Sequence, residues 1–378
     1  MESFAEEFWG LLGDVSYGLV KKQNIYRKNI EIDESYRYFQ TAELEHSIQR
    51  LNLLMLSHGI VSENGEPIAP KNETDAVINY FSHSMQYWPT AKYNKFQNVL
   101  DEELEPLIHL TNGKTKYIVT ETCRELAMES LTYNQDMMQK QVFYLLTQLN
   151  QEQYVFCRKW IIQHPLMDRL QTLDLQDEMK TLGIEDFLID TFIQTAYEQL
   201  PINAIGICGH CGWTVMKDIN RYYCIESLCR KKTDNFNKIE SFNEKNNLLR
   251  LKSGVMKYMM LPGRFEIELE KYCDKLGVAC ELWPKKDSYD LKISLPNKVY
   301  AVDIKSYFNP FSLKHHLMKN GVFNGISNEL EAYVVIPNYR QDRKKGYLEI
   351  LKSVPQNRPY DFASLKEFQQ MIKQMKGK

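Results

Sequence analysis

Four cysteines constrain this 378-residue chain more than any other feature. They stand as Cys208-Gly209-His210-Cys211-Gly212 and, after a span of about 12 residues, Cys224-Ile225-Glu226-Ser227-Leu228-Cys229. Zinc takes four soft thiolates in a tetrahedron, and a C-x2-C knuckle followed by a C-x4-C knuckle supplies that set. Gly212 lets the backbone turn beneath the metal. The stretch from Trp213 to Tyr223 is long enough for a hairpin between the knuckles. The spacing therefore predicts a zinc ribbon over residues 205–235 with Cys208, Cys211, Cys224 and Cys229 as ligands. An iron–sulfur cluster is the alternative occupant. His210, inside the first knuckle, is read as a bystander. The ribbon either contacts nucleic acid through Lys217, Arg221, Arg230, Lys231 and Lys232 or staples its neighbours together.

Thiols serve as metal ligands where they stay reduced. The opening Met1-Glu2-Ser3-Phe4-Ala5-Glu6-Glu7 lacks the basic start of a signal peptide, and no apolar run approaches the roughly 18 residues of a membrane span. The expectation is a cytoplasmic chain with no membrane partner. Its net charge is −2, but the halves differ. Residues 1–204 carry about 17 basic and 30 acidic side chains, a balance near −13, and residues 205–378 a balance near +11. A basic half of this size suits a polyanion such as nucleic acid.

The fold class expected is multidomain, α plus α/β. Residues 1–204 read as a helical scaffold that docks a partner. Phe4, Phe8, Leu11, Leu12 and Val15 recur on one helical face. A helical run from Glu121 to Pro165 has a break near Asn150, and Tyr154, Cys157, Trp160 and Ile161 mark a buried stripe in it. Another helix is expected from Ile184 to Leu200. Residues 236–262 read as a linker, with a chain break at Leu261-Pro262-Gly263. Residues 263–378 read as an α/β domain. It starts with a helix from Phe265 to Leu276, followed by strands over Val278–Leu282, Asp290–Leu295 and Val299–Tyr307. A helix around Ser312–Lys319 comes next, then strands at Ala332–Ile336 and Gly346–Leu351.

The third of these strands contains Val302-Asp303-Ile304-Lys305. Side chains alternate along a strand, so Asp303 and Lys305 share one face while Val302 and Ile304 enter the core. Asp290 opens the neighbouring strand at hairpin distance. Two carboxylates and a lysine can thus meet at one sheet end. Phosphodiester hydrolysis needs that set: Asp290 and Asp303 as hard oxygen ligands for Mg²⁺ or Mn²⁺, and Lys305 to orient the attacking water. The Ile304 carbonyl is a further candidate ligand. Glu266, at the start of the preceding helix, can reach the same metal, with Glu268 and Glu270 as substitutes.

These residues resemble the PD-(D/E)xK, or restriction-endonuclease-like, nuclease superfamily. Glu266 matches the helix carboxylate, Asp290 the first motif Asp, and Asp303-Ile304-Lys305 the tripeptide. Tyr289 replaces the motif Pro, and the tripeptide begins with Asp where Glu is commoner. The resemblance implies a metal-dependent endonuclease. With a helical half and a zinc ribbon in front, the chain is also similar to the nuclease component of prokaryotic pPIWI-RE defence islands. That likeness implies DNA as substrate, defence against foreign DNA as role, and a PIWI-like protein and a helicase as partners. A homodimer stays open. The competing reading is a non-catalytic nucleic-acid-binding or assembly adaptor that uses the ribbon and the nuclease fold as docking surfaces. In the nuclease reading, Arg230 to Lys232, Arg340 to Lys345 and the C-terminal lysines grip phosphates, and Tyr339 and Tyr347 either stack on bases or pack.

Overall fold

In the computed structural model, the N-terminal apolar spacing becomes helix α1, Phe4–Lys28. The structure describes residues 4–28, 34–62, 64–65, 68–97, 104–110, 117–130, 137–201, 204–218, 221–224, 229, 236–238, 248–320, 322–323, 330–343, 346–353 and 360–376. Arg230, Lys231, Lys232, Lys344 and Lys345, named above as phosphate contacts, lie outside them.

The chain divides into two units. One comprises chiefly Met1–Gln135 with Tyr307–His315. Phe8, Leu11, Leu12, Val15 and Leu19 of α1 are buried, as the helical spacing requires. They pack with Leu44, Ile48, Leu51 and Met55 of α2, Glu34–Ser57, and with Cys123 and Leu126 of α3, Glu121–Met128. Short helical turns over Glu73–Ala76, Val77–Phe81, Met85–Tyr87 and Asn94–Gln97 and a small hairpin, β1 Ile108–Leu110 with β2 Tyr117–Val119, also belong to this unit. Asp14 is buried in it, but it accepts a 2.6 Å hydrogen bond from Ser130 and pairs with Arg50 at 3.4 Å.

Helices α1 and α2 approach closely at Gly18, where an added Cβ would lie 2.6 Å from Leu44 Cα and 2.8 Å from Leu44 Cβ. Alanine is the better helix former by about 1 kcal/mol. Forcing two packed helices apart costs about 1–3 kcal/mol, so the clash should win. Gly18→Ala is therefore expected to lower the denaturant midpoint of the full chain. An unchanged or higher midpoint would mean the two helices separate freely.

The second unit starts with α4, Met137–Gln148, and α5, Gln151–Gln163. The break expected near Asn150 is a capping box: Asn150 accepts from the Gln153 backbone, and the Gln153 side chain returns the bond. Tyr154, Cys157, Trp160 and Ile161 form the buried stripe. After β3, Leu166–Met167, come α6, Arg169–Thr181, and α7, Asp186–Ala196. The helix expected to reach Leu200 stops at Ala196. Tyr197–Gln199 is strand β4, which pairs with β9, Leu249–Leu251. Between these lie β5 Ala204–Cys208, β6 Thr214–Asp218, β7 Arg221–Tyr223 and β8 Phe236–Lys238, an antiparallel sheet in the order β7-β6-β5-β8.

Leu261-Pro262-Gly263 does not break the chain. Helical turns from Ser253 run directly into α8, Leu261–Lys275. Pro262, which has no N–H to give, sits just after the π-helical turn Met256–Met260, where Leu261 N–H still bonds back to the Met256 carbonyl. Gly263 is where α8 meets α5, since a Cβ there would lie 2.4 Å from Ile162 Cδ1.

Beyond α8 a five-stranded sheet forms in the order β10-β11-β12-β13-β14. Its strands are β10 Ala279–Leu282, β11 Leu291–Leu295, β12 Lys298–Ile304, β13 Leu330–Ile336 and β14 Tyr360–Ser364. The first three run antiparallel as hairpins, and β12, β13 and β14 are parallel. Parallel neighbours need crossovers. Helix α9, Pro310–Asn320, lies between β12 and β13, and α10, Tyr347–Lys352, between β13 and β14. The chain closes with α11, Leu365–Lys376.

Gly346–Leu351, expected as the fifth strand, is therefore helix. Tyr347, Leu348 and Leu351 are its buried residues, at a spacing that suits one face of a helix and not one face of a strand. The fifth strand is β14.

Candidate active site and metal centre

The cysteine cluster forms where β5 turns into β6. Gly212 takes φ +75 and donates to the Cys208 carbonyl at 2.8 Å, while Cys208 N donates to the Trp213 carbonyl at 2.7 Å. That left-handed turn carries Cys208 and Cys211 onto one knuckle. Cys224 follows β7 directly. All four ligand atoms are buried and lie within 4.8 Å of one another. Crowding links the thiols: Cys208 is pushed far below its ordinary range by hydrogen bonds from Cys211, Cys224 and Cys229, and Cys224 is pushed up by its hydrogen bonds with Cys208, Cys211 and Cys229. A set of four sulfurs so close suits a single soft metal ion. His210 is not remote from it, since its Nδ1 lies 3.2 Å from Cys229 Sγ. The hairpin is anchored through Trp213, whose Nε1 donates to the Leu251 carbonyl at 2.9 Å under the Arg250 guanidinium.

The carboxylate cluster is set by the hairpin β11–β12. Leu291 pairs with Val302, so Asp290 and Asp303 stand one residue beyond that pair on adjacent strands. The Ile304 backbone N–H donates to Asp290 Oδ2 at 2.5 Å. Lys305 Nζ lies 3.0 Å from Asp303 Oδ1. Asp303 is 6 % exposed, and its Oδ2 is buried with no hydrogen-bond partner. A buried carboxylate oxygen left unpaired is costly. Burial, then Glu266 and Asp303, hold the Asp290 carboxyl well above the usual carboxylate range.

Glu266 reaches this cluster from the first turns of α8 and is 1 % exposed. Glu268 is exposed, and Glu270 pairs instead with Lys159 at 3.1 Å. Both Glu266 oxygens lie 3.2 Å from Arg158 Nη2, and Oε2 also accepts from the Trp283 indole. Burial raises the Glu266 pKa, and Arg158 works against that rise.

Arg158, Asp287 and Trp283 are the members that sequence reasoning missed. Arg158 belongs to α5. Its Nη1 donates to Asp287 and, at 3.1 Å, to the Tyr154 hydroxyl, and its Nη2 lies 3.6 Å from Asp290 Oδ1. Burial opposes its charge, but Asp287 and Glu266 more than offset this. One signal was available: Arg158 falls four residues after Tyr154, on the buried stripe, where a charge must find a partner.

The β10–β11 loop is strained beside the cluster. Trp283, Lys285, Lys286 and Asp287 all have positive φ, between 48° and 74°. For non-glycine residues each costs on the order of 1–2 kcal/mol. Helices α4 and α5 hold the loop in place. Gln151 donates to the Trp283 carbonyl and accepts from the Lys286 N–H, each at 2.9 Å, and Lys286 Nζ donates to the Thr147 carbonyl at 3.1 Å.

The proposed phosphate and base contacts fare differently. Arg340 is 1 % exposed, its Nε facing Ser306 Oγ, so it is turned inward and is not a surface grip. Tyr347 is fully buried, which leaves no ring face for a base. Tyr339 stacks on Phe265 with centroids 5.7 Å apart, and its hydroxyl meets Ser306 at 2.7 Å. Among the described residues, no helix is long and apolar enough to cross a membrane.

A family model described as "REase associating with pPIWI_RE" matches residues 263–378. Its name denotes a restriction-endonuclease-like domain linked to pPIWI-RE systems. The matched stretch holds Glu266, Asp290, Asp303, Lys305 and the whole five-stranded sheet, but neither Arg158 nor the four cysteines. No curated protein and no solved structure matches the chain.

Proposed function

We propose that the protein is a metal-dependent endonuclease that hydrolyses phosphodiester bonds of nucleic acid, with DNA as its substrate, in a pPIWI-RE defence system. The observation that carries this reading is Asp290 and Asp303 on adjacent strands, with Lys305 two residues on and Asp303 Oδ2 buried without a partner. An orphaned carboxylate oxygen among other carboxylates fits a hard divalent cation, so the residues present suit Mg²⁺ or Mn²⁺. Asp290, Asp303 and the Ile304 carbonyl would hold it. When bound, such an ion supplies Lewis-acid polarisation of the scissile phosphate and a more acidic water.

The chain's own residues do the rest. The Ile304 N–H fixes Asp290 in place. Lys305 is partly exposed while its ammonium leans on Asp303. From there it orients the attacking water and offsets the charge that builds on phosphorus. The order of α8, β10, β11, β12, α9 and β13 supports the PD-(D/E)xK assignment, as does the antiparallel hairpin leading into parallel strands. The four buried sulfurs support zinc as the metal of the cysteine site. The family name supports a pPIWI-RE protein as partner.

Purified full chain, alone and with its pPIWI-RE partners, is expected to cut plasmid or single-stranded DNA with Mg²⁺ or Mn²⁺ and not with EDTA. Lys305→Ala should slow cutting by about 10²-fold or more, the scale of losing one transition-state charge partner. Absence of cutting under all these conditions sinks the catalytic reading in favour of a non-catalytic adaptor.

A further inference from the structure

The carboxylates Glu266, Asp287 and Asp290 lie around one buried guanidinium, which comes from a helix outside the family-matched segment. Arg158 cannot be a mobile surface cation. Its side chain is 6 % exposed, it lies 4.9 Å over the Trp283 ring, and it is tied to Tyr154, Asp287 and both oxygens of Glu266. Glu266 in turn has its two oxygens engaged by Arg158 and the Trp283 indole. Asp303 Oδ2 and Asp287 Oδ1 are the carboxylate oxygens of the cluster left without a hydrogen-bond partner, and of the two only Asp303 stands beside Asp290 on the adjacent strand.

We infer that Arg158 is a positioning residue for the metal site, and that Glu266 serves the site through Arg158 and not as a metal ligand. The inference rests on the Asp290–Asp303 metal reading given above. The chain of contacts is short. Arg158 holds Asp287 at the end of the strained loop, and Trp283 N at its start donates to the Asp290 carbonyl at 2.7 Å. The loop's left-handed residues persist only while surrounding contacts over-determine them. Without the guanidinium, Glu266 and Asp287 become buried charges with their main cation gone. The loop then relaxes, and Asp290 leaves the position from which it shares a metal with Asp303. Groups that orient metal ligands typically matter 10- to 100-fold in metal affinity.

Mn²⁺ binding to the full chain by calorimetry, with melting temperature of the metal-free protein, tests this. Arg158→Met should weaken Mn²⁺ binding about 10- to 100-fold and lower the melting temperature. Adding Glu266→Gln to Arg158→Met should recover part of the melting temperature, because the orphaned charge is gone, and should not weaken Mn²⁺ further. If Arg158→Met binds Mn²⁺ as tightly as the parent or more tightly, Arg158 is no positioning residue. If the two substitutions multiply in their effect on Mn²⁺ binding, Glu266 is a ligand and the inference fails. Should Arg158→Met not fold, Arg158→Lys carries the test. It keeps the charge but not the fork that spans Glu266 and Asp287, so an unchanged Mn²⁺ affinity overturns the proposal. Asp303→Asn is the separate control. If it binds Mn²⁺ like the parent, the metal reading itself is wrong, whatever Arg158 does.

Discussion

Asp303→Asn is expected to abolish metal-dependent cutting while leaving the metal-free protein no less stable. The two halves of this expectation have one cause. Asp303 is buried, carries an oxygen with no partner, and crowds Asp290 enough to help raise that carboxyl's pKa. Such an arrangement is a liability to a fold and an asset to a cation site. The amide keeps the shape of the carboxylate, and its oxygen can still accept from Lys305. It removes the like-charge contact, so the melting temperature without metal should hold or rise. The stabilisation that Mn²⁺ gives the parent by binding only the folded state should disappear. Cutting should fall by at least about 10²–10³-fold, the range seen when one preorganised charge-stabilising group is lost. A variant that melts lower yet still cuts would show that Asp303 is a structural ion-pair partner of Lys305 and nothing more.

Replacing the cysteine ligands should have the largest effect on structure. The sheet β7-β6-β5-β8 consists of strands of three to five residues, too little to bury a core of its own. Four sulfurs within 4.8 Å take the place of that core. For small structural zinc domains the metal-binding free energy, on the order of 10 kcal/mol or more, is folding free energy. Cys208→Ser, or stripping with a strong chelator, is expected to release one zinc per chain and unfold the segment. Trp213, 3 % exposed and following Cys211 by two residues, reports the event through its fluorescence. Arg250 stacks on Trp213, and Trp213 bonds to β9, so the loss should propagate to the β3-β9-β4 sheet. A chain that is isolated without metal, and whose Trp213 signal ignores the chelator, would refute the zinc assignment.

Both sites depend first on local pairing, which is why their outlines were legible. The knuckles at Cys208–Cys211 and the hairpin that pairs Leu291 with Val302 close over short stretches of chain. Spacing and alternation act at that range, so the positions of Asp290, Asp303 and the four cysteines follow from sequence pattern alone. The α10 segment shows the limit. Tyr347, Leu348 and Leu351 lie in an apolar run short enough to be read as a strand, and the helical spacing of the residues that are buried shows only once packing has chosen which face turns inward.

The sequence by itself determined the buried faces of α1 and α5, the cysteine cluster, and the hairpin that brings two aspartates and a lysine together. Tertiary structure decided what surrounds them. Arg158 and Glu266 are 108 residues apart, and Gln151 meets the Trp283 carbonyl across 132. No local rule links such positions. Burial does, because a guanidinium on an apolar helical stripe must find carboxylates; of the three it found, Asp290 is a candidate metal ligand and Glu266 and Asp287 stand beside it.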